Sequence, residues 1–307
     1  MIDRLRTQIN EYFVGKEDVV ENVLICLLAG GHVLIEDVPG VGKTTIARVL
    51  AGSVDRSFGR IQFTPDTLPG DVTGLSVYNM KTGEFEYREG AIMRSILLAD
   101  EINRTSPKTQ SALLEAMAEG SVTVDGTKYD LPDPFMVIAT QNPTEFIGTY
   151  PLPEASVDRF MMRLSIGYPG KDEEIKLARN HIEGKTADAV KPVCSAQEVL
   201  DMKKKVREVT VADGCLAYAR EIIELTRSES RFILGASPRA LLSLMSASQA
   251  KAFLSGRDFV KPDDIKAVAV NVLNHRLVLT PESRIAGEKK DAIIKSIILK
   301  VKVPTKE

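Results

Sequence analysis

His32-Val-Leu-Ile-Glu-Asp37-Val-Pro39-Gly40-Val41-Gly42-Lys43-Thr44-Thr45, running on into Ile46-Ala-Arg-Val-Leu-Ala51, decides how this sequence is read. A short β-branched run, a glycine-rich turn and a helical pattern follow one another without a gap. That context gives a Walker A match its meaning. Glycines let backbone N–H groups approach phosphate, and the start of the next helix adds the positive end of its dipole. Pro39, Gly40, Val41, Gly42, Lys43, Thr44 and Thr45 are therefore the candidate ATP-binding loop. Lys43 is expected to reach the β- and γ-phosphates and Thr44 to hold Mg²⁺. One position departs from the GxxxxGK[ST] pattern, because Asp37 stands where the first glycine is expected.

Further along, Ser95-Ile-Leu-Leu-Ala-Asp100-Glu101 is an apolar strand ending in paired acids, the Walker B pattern. Such a strand delivers Asp100 to the metal and Glu101 to an attacking water. The pair points to hydrolysis rather than binding alone, since a base beside the γ-phosphate serves only chemistry.

Outward from these two motifs, residues 1–169 alternate helical stretches with short apolar runs at His32–Glu36, Arg60–Thr64, Ser95–Asp100, Phe135–Thr140 and Arg163–Ile166. Runs without strict alternation suit strands covered on both faces, hence a parallel sheet in an α/β domain. Ser106-Pro107 opens a helix that Gly120 ends. Val122-Thr-Val-Asp125-Gly126-Thr-Lys-Tyr129 reads as a tight hairpin. After Gly167-Tyr-Pro-Gly170 the pattern turns helical, with starts at Ser195, Ser237-Pro238 and Pro262. The expected division falls near residue 170, giving a nucleotide-binding domain, 1–169, and a helical lid, 170–307.

Several further stretches carry a family resemblance. Val137-Ile-Ala-Thr-Gln-Asn142 resembles the sensor 1 strand of AAA+ ATPases, and Leu152-Pro-Glu-Ala-Ser-Val-Asp-Arg159-Phe160 resembles the segment bearing an arginine finger. Gly235-Ala-Ser-Pro-Arg239-Ala resembles the start of the sensor 2 helix. Phe63 to Gly74 and Gly83 to Gly90 are similar to the helix 2 insert of MoxR proteins and magnesium chelatase subunits. Gln62-Phe-Thr-Pro-Asp, Ala99-Asp-Glu-Ile-Asn-Arg104 and Gln141-Asn-Pro-Thr-Glu145 resemble the MoxR family specifically.

The resemblance covers essentially the whole chain. It implies an AAA+ P-loop domain whose five-stranded parallel sheet has the order 5-1-4-3-2, an all-helical lid and a hexameric ring. It also implies catalytic roles for Glu101, for Asn142 as orienter of the water, for Arg159 reaching a neighbour's nucleotide and for Arg239 at the γ-phosphate. Arg163 and Arg104 rival Arg159, and whether Arg239 serves its own or a neighbour's site stays open. Gly15, in Tyr12-Phe-Val-Gly-Lys16, resembles the segment lying against adenine. The implied activity is Mg²⁺-dependent ATP hydrolysis by a chaperone-like remodeller. Its partner is a client or adaptor protein, often one with a von Willebrand factor A domain. A chelatase motor subunit is the alternative.

Composition removes other classes. Across 307 residues the formal net charge is −2 and no basic stripe stands out, so nucleic acid is not an expected partner. Cys26, Cys194 and Cys215 lack metal-ligand spacing and read as buried apolar residues. His32, His181 and His275 form no ligand pair. The N-terminus has no signal-peptide core, and no apolar stretch reaches the ~20 residues of a membrane span. The expected location is the cytoplasm. Tyr78, Phe85, Tyr87 and Tyr129, on the insert and hairpin, are candidates to grip a partner, with simple packing as the plainer reading.

Overall fold

The computed structural model describes residues 1–143 and 148–304. The Thr144 and Glu145 positions of the Gln141–Glu145 segment, and the end of the tail at Thr305 to Glu307, lie outside the described residues. Two helices, α1 (Ile2–Tyr12) and α2 (Glu17–Ala29), precede β1 (Val33–Glu36), α3 (Lys43–Ser53) and β2 (Phe58–Gln62). The insert follows as α4 (Pro69–Thr73), β3 (Gly74–Asn79) and β4 (Glu84–Glu89). Then come β5 (Ile96–Asp100), α5 (Pro107–Glu119), β6 (Ser121–Val124), β7 (Thr127–Asp130), β8 (Met136–Gln141), α6 (Glu154–Val157) and β9 (Met162–Leu164).

Five of these strands form one parallel sheet in the order β2-β5-β8-β1-β9, which is the order 5-1-4-3-2 in core-strand count. β5 is buried throughout and β8 nearly so, as unalternating apolar strands under helices must be. The parallel arrangement gathers the carboxyl ends of β1, β5 and β8 at one edge, where open α/β sheets place their ligands. The last strand is shorter than the sequence suggested. It stops at Leu164 because the N–H of Ile166 goes to the Asp37 carboxylate instead of a ladder partner.

Helix α5 starts where Ser106 accepts a hydrogen bond from the N–H of Thr109 and ends at left-handed Gly120. The β6–β7 hairpin turns through Asp125 and Gly126, both at positive φ, which the Asp-Gly signal anticipates. In the β3–β4 hairpin Tyr78 and Phe85 face each other edge to face at 5.4 Å and stay exposed. Tyr87 and Tyr129 instead stack on each other at 3.9 Å and join the two hairpins, so half of the aromatic set is packing.

The later chain is α7 (Lys171–Ile182), α8 (Ala196–Glu208), α9 (Asp213–Ser228), β10 (Phe232–Leu234), α10 (Pro238–Leu254), α11 (Pro262–Leu273), β11 (Val278–Leu279), α12 (Pro281–Ile285) and α13 (Lys290–Lys300). It is helical as expected, with one addition: β10 and β11 pair as a small antiparallel ribbon. Helix α13 buries Ile293, Ile294, Ile297 and Ile298 and packs on α9 and α11. One continuous apolar cluster runs from α1, α2 and α3 into α8 to α11 and α13. All three cysteines are buried and unpaired.

Candidate active site

Beyond Glu36 the chain turns sharply into α3, with Gly40 and Gly42 at φ of 84° and 96°. A side chain at Gly42 would also meet the Phe13 ring at 3.0 Å, so this turn requires glycine for both conformation and space. Around the turn lies a cavity of about 400 Å³. Its lining is Pro39, Gly40, Gly42, Lys43, Thr44 and Thr45 from the loop, Arg60 and Gln62 from β2, Asp100 and Glu101 from the end of β5, and Asn142 after β8. A second, more apolar cavity of about 190 Å³ shares Gly40, Gly42 and Thr45 with it and adds Val41, Tyr12, Phe13, Val14, Lys16, Ile166, Gly167, Pro169 and Leu177. The two form a groove with a polar end and an apolar end, straddling the start of α3.

Gly15 itself does not line that apolar end, although Val14 and Lys16 do. It sits at φ 82° under the Glu173 side chain, whose carboxyl carbon lies 2.1 Å from where a Cβ would be. The structure thus brings the neighbours of Gly15 into the groove and sets Gly15, half-buried, against the Glu173 side chain of α7.

The two acids are held differently. Asp100 is buried; one oxygen accepts from the Thr140 hydroxyl at 2.6 Å, the other from the Arg60 guanidinium at 2.7 Å. Glu101 accepts from the Gln62 amide at 2.8 Å and from Arg104 at 3.1 Å. Its backbone is left-handed at φ 56°, ψ 50°, and its N–H is fixed by the Thr140 hydroxyl at 2.9 Å. A non-glycine residue in that region costs on the order of 1 kcal/mol, and such strain gathers at functional positions. Arg60 was not anticipated as a site residue. The sequence held only part of the signal: residues two apart on a strand share a face, so Arg60 lies on the face of Gln62, and the register that pairs Gln62 with Asp100 is set by the sheet.

Lys43 donates to the backbone carbonyl of Asp37 at 2.8 Å. The Asp37 side chain turns away and accepts from Val38, Ile166 and Gly167 N–H groups and the Ser165 hydroxyl, at 2.6 to 3.0 Å. Burial pushes its carboxyl up, but those four bonds outweigh it and hold Asp37 below the usual carboxylate range. Among the described residues no group of three His, Cys, Asp or Glu is placed to hold a metal ion. Magnesium needs no such cage, since it keeps waters and takes one or two carboxylates beside substrate phosphates. Asp100 and Thr44, both on the polar cavity, fit that pattern.

Arg159 and Arg239 lie off this cavity. Arg159 donates to the Leu114 carbonyl on α5 at 2.6 Å, and Arg239 is exposed in the first turn of α10. Of the rival arginines, Arg104 is bound to Glu101, and Arg163 is bound to Glu36 at 2.7 Å and to the Asn274 side chain. Sequence reasoning missed Arg276. Its buried guanidinium pairs with Asp158 at 2.6 Å and donates to the carbonyls of Met161, Phe160 and Val272 and to the Ser243 hydroxyl. The same Asp158 accepts from Ser237, the cap of α10, at 3.0 Å. One buried ion pair therefore anchors both the residue before Arg159 and the helix that carries Arg239. An arginine in the mostly apolar stretch Val270–Leu279 was the available clue.

The chain is similar to known proteins along its length. Residues 32–162 match the family model described as ATPase family associated with various cellular activities, AAA, and residues 224–297 match an AAA lid domain. A Bacillus subtilis (strain 168) protein named YeaC is 52% identical over 96% of this chain and 92% of its own length. Chaperone MoxR1 of Mycobacterium tuberculosis is 38% identical over 99% of this chain and 82% of its own. A crystal structure of a candidate ATPase from Cytophaga hutchinsonii superimposes with a TM-score of 0.92 at 40% identity, covering 99% of this chain and 95% of that one. Phosphate loop, paired acids, sheet order, lid and relatives agree: this chain is an ATPase that belongs to the MoxR family of AAA+ proteins.

Proposed function

We propose that the groove at the carboxyl edge of the sheet takes ATP with Mg²⁺, and that an adjacent subunit of a hexameric ring completes the site. The observation carrying this reading is the split of the expected residues. Lys43, Thr44, Asp100, Glu101 and Asn142 share one cavity, while Arg159 and Arg239 lie away from it. In this reading the phosphates lie on the loop N–H groups and Lys43, and the base occupies the apolar end near Phe13 and Ile166. Thr44 and Asp100 hold Mg²⁺, which supplies charge neutralisation at the phosphates. Glu101, turned from Gln62 and Arg104 toward a water, takes its proton, and Asn142 orients that water. Arg159 of one subunit meets the γ-phosphate bound by its neighbour. The chain divides near residue 170 into a nucleotide-binding domain, 1–169, and a lid, 170–307.

The work done with each turnover is chaperone-like remodelling of a client or adaptor protein, for which von Willebrand factor A domain proteins are the first candidates. Support comes from the relative named chaperone MoxR1 and from the exposed Tyr78–Phe85 pair on the insert hairpin. Among the described residues no helix is long and apolar enough to cross a membrane.

The test is Mg²⁺-dependent turnover per subunit over a wide range of protein concentration, with Glu101→Gln as control. Specific activity should climb with concentration and vanish in the control. Flat, substantial activity at every concentration would place the whole site within one chain and end the role given to Arg159 between subunits.

A further inference from the structure

Asp37 stands where a loop of this kind begins with glycine, and its side chain does not line the phosphate cavity. It reaches across to the exit of β9. One carboxylate oxygen accepts from the N–H groups of Ile166 at 2.7 Å and Gly167 at 2.6 Å and from the Ser165 hydroxyl at 3.0 Å. The other accepts from the N–H of Val38 at 2.8 Å. Ile166 and Gly167 line the apolar end of the groove, and so do Gly40 and Gly42 of the loop. A single side chain therefore ties the first residues of the phosphate loop to the wall of the neighbouring cavity. Its own carbonyl, held by Lys43, fixes the loop from within.

We propose that Asp37 is a positioning residue for the base end of the nucleotide: it locks the Ser165–Gly167 segment onto the start of the phosphate loop, so that the apolar pocket is formed before ligand arrives. This rests on the reading of the groove as a nucleotide site. Three features make a carboxylate suited to the task. It offers two oxygens and so accepts all four donors at once, which no neutral side chain of that size can do. Hydrogen bonds to a charged acceptor are about twice as strong as neutral ones. The bonds also spare the N–H groups of Ile166 and Gly167, just past the end of β9, from going unpaired. Glycine at this position would leave the loop free to bind phosphate and the base wall free to drift.

The mechanism separates the two ends of the ligand, and so does the test. Affinities for ATP, ADP and inorganic tripolyphosphate are measured by calorimetry on the full chain, for the wild type, Asp37→Gly and Ser165→Ala. Asp37→Gly is expected to weaken ATP and ADP alike by about tenfold or more, the scale of one lost charge-assisted hydrogen bond. Tripolyphosphate, which has no base, should bind within about twofold of wild type. That unchanged affinity also certifies that the loop is folded. Ser165→Ala removes one of the four bonds and should show the same pattern at about two- to threefold. A parallel loss of tripolyphosphate affinity would confine Asp37 to the phosphate loop and overturn the proposal, as would unchanged ATP binding in Asp37→Gly. A wild-type chain that binds tripolyphosphate but gains nothing from the base of ATP also overturns it. One that binds neither removes the nucleotide reading itself.

Discussion

At the carboxyl edge of the sheet, Lys43, Thr44, Asp100, Glu101 and Asn142 come from three separate stretches and share one cavity. Arg159 and Arg239 also come from separate stretches, yet they are tied to a buried ion pair, Asp158 with Arg276, and share no cavity with those five residues. In the first region the groups converge on space for a ligand. In the second a paired core holds arginine-bearing segments and directs them elsewhere. The contrast teaches that one chain gathers polar groups around a cavity and, apart from it, fixes arginine-bearing segments on a paired core; in the function proposed above, that core is the mount for groups a neighbour's site lacks.

The sharpest way to break this comparison is Arg159→Ala. If the mount serves a neighbour, turnover in concentrated protein falls by about 10³-fold or more while nucleotide affinity stays put. Undiminished turnover in an assembled ring would leave the second region without its role. Glu101→Gln addresses the first region: turnover should drop about 10²- to 10⁴-fold with ATP still bound, read by steady-state kinetics beside a binding titration. Arg276→Ala tests the mount itself, since it strands the Asp158 carboxylate against the lid. Stability should fall by about 3–5 kcal/mol in denaturant titrations. A loss under 1 kcal/mol would show that the pair anchors little.

Acid sharpens the comparison from another side. His32, under the sheet, donates from its ring to Met117 and accepts from the N–H of Val137; burial lowers it to about 4, with nearby Lys203 adding to the fall. His275, beside the ion pair, is also lowered, first by burial and then by Arg276. Unfolded, both titrate near 6.5. Between pH 6.5 and 4 the unfolded chain therefore binds more protons than the fold, and stability rises with pH across that window. Moving from pH 7 to pH 5 should remove roughly 2 kcal/mol through His32 alone. The stability from the depressed carboxyl of Asp37 is in place above about pH 4 and is lost only below it, so it does not confuse the reading. A flat stability profile from pH 7 to 5 would contradict the buried neutral state of both rings. The smallest effect is expected from Gln62→Ala, which removes one of the two donors on the same Glu101 oxygen while Arg104 keeps its hold. Basal turnover should rise by less than about tenfold, the scale of one hydrogen bond.

Sequence alone determined the parts of this protein that rest on local rules. Gly40 and Gly42 were legible because the turn into α3 needs positive φ, and Asp125-Gly126 because a two-residue hairpin does. The buried strands were legible from unalternating apolar runs, and α5, α8 and α10 from their serine caps. Lys43, Thr44, Asp100 and Glu101 followed from spacing against those elements. Tertiary structure alone decided what depends on residues far apart in the chain. It set Arg60 on Asp100, 40 positions away, and Arg276 on Asp158, 118 away. It set the Glu173 side chain against Gly15, divided the aromatic set into an exposed pair and a packed pair, and turned Asp37 from a gap in a motif into a staple. The physical reason is the same in each case. Backbone geometry and periodicity are written within a few residues, whereas the partner of a charge or ring is fixed only when the sheet and lid close around it.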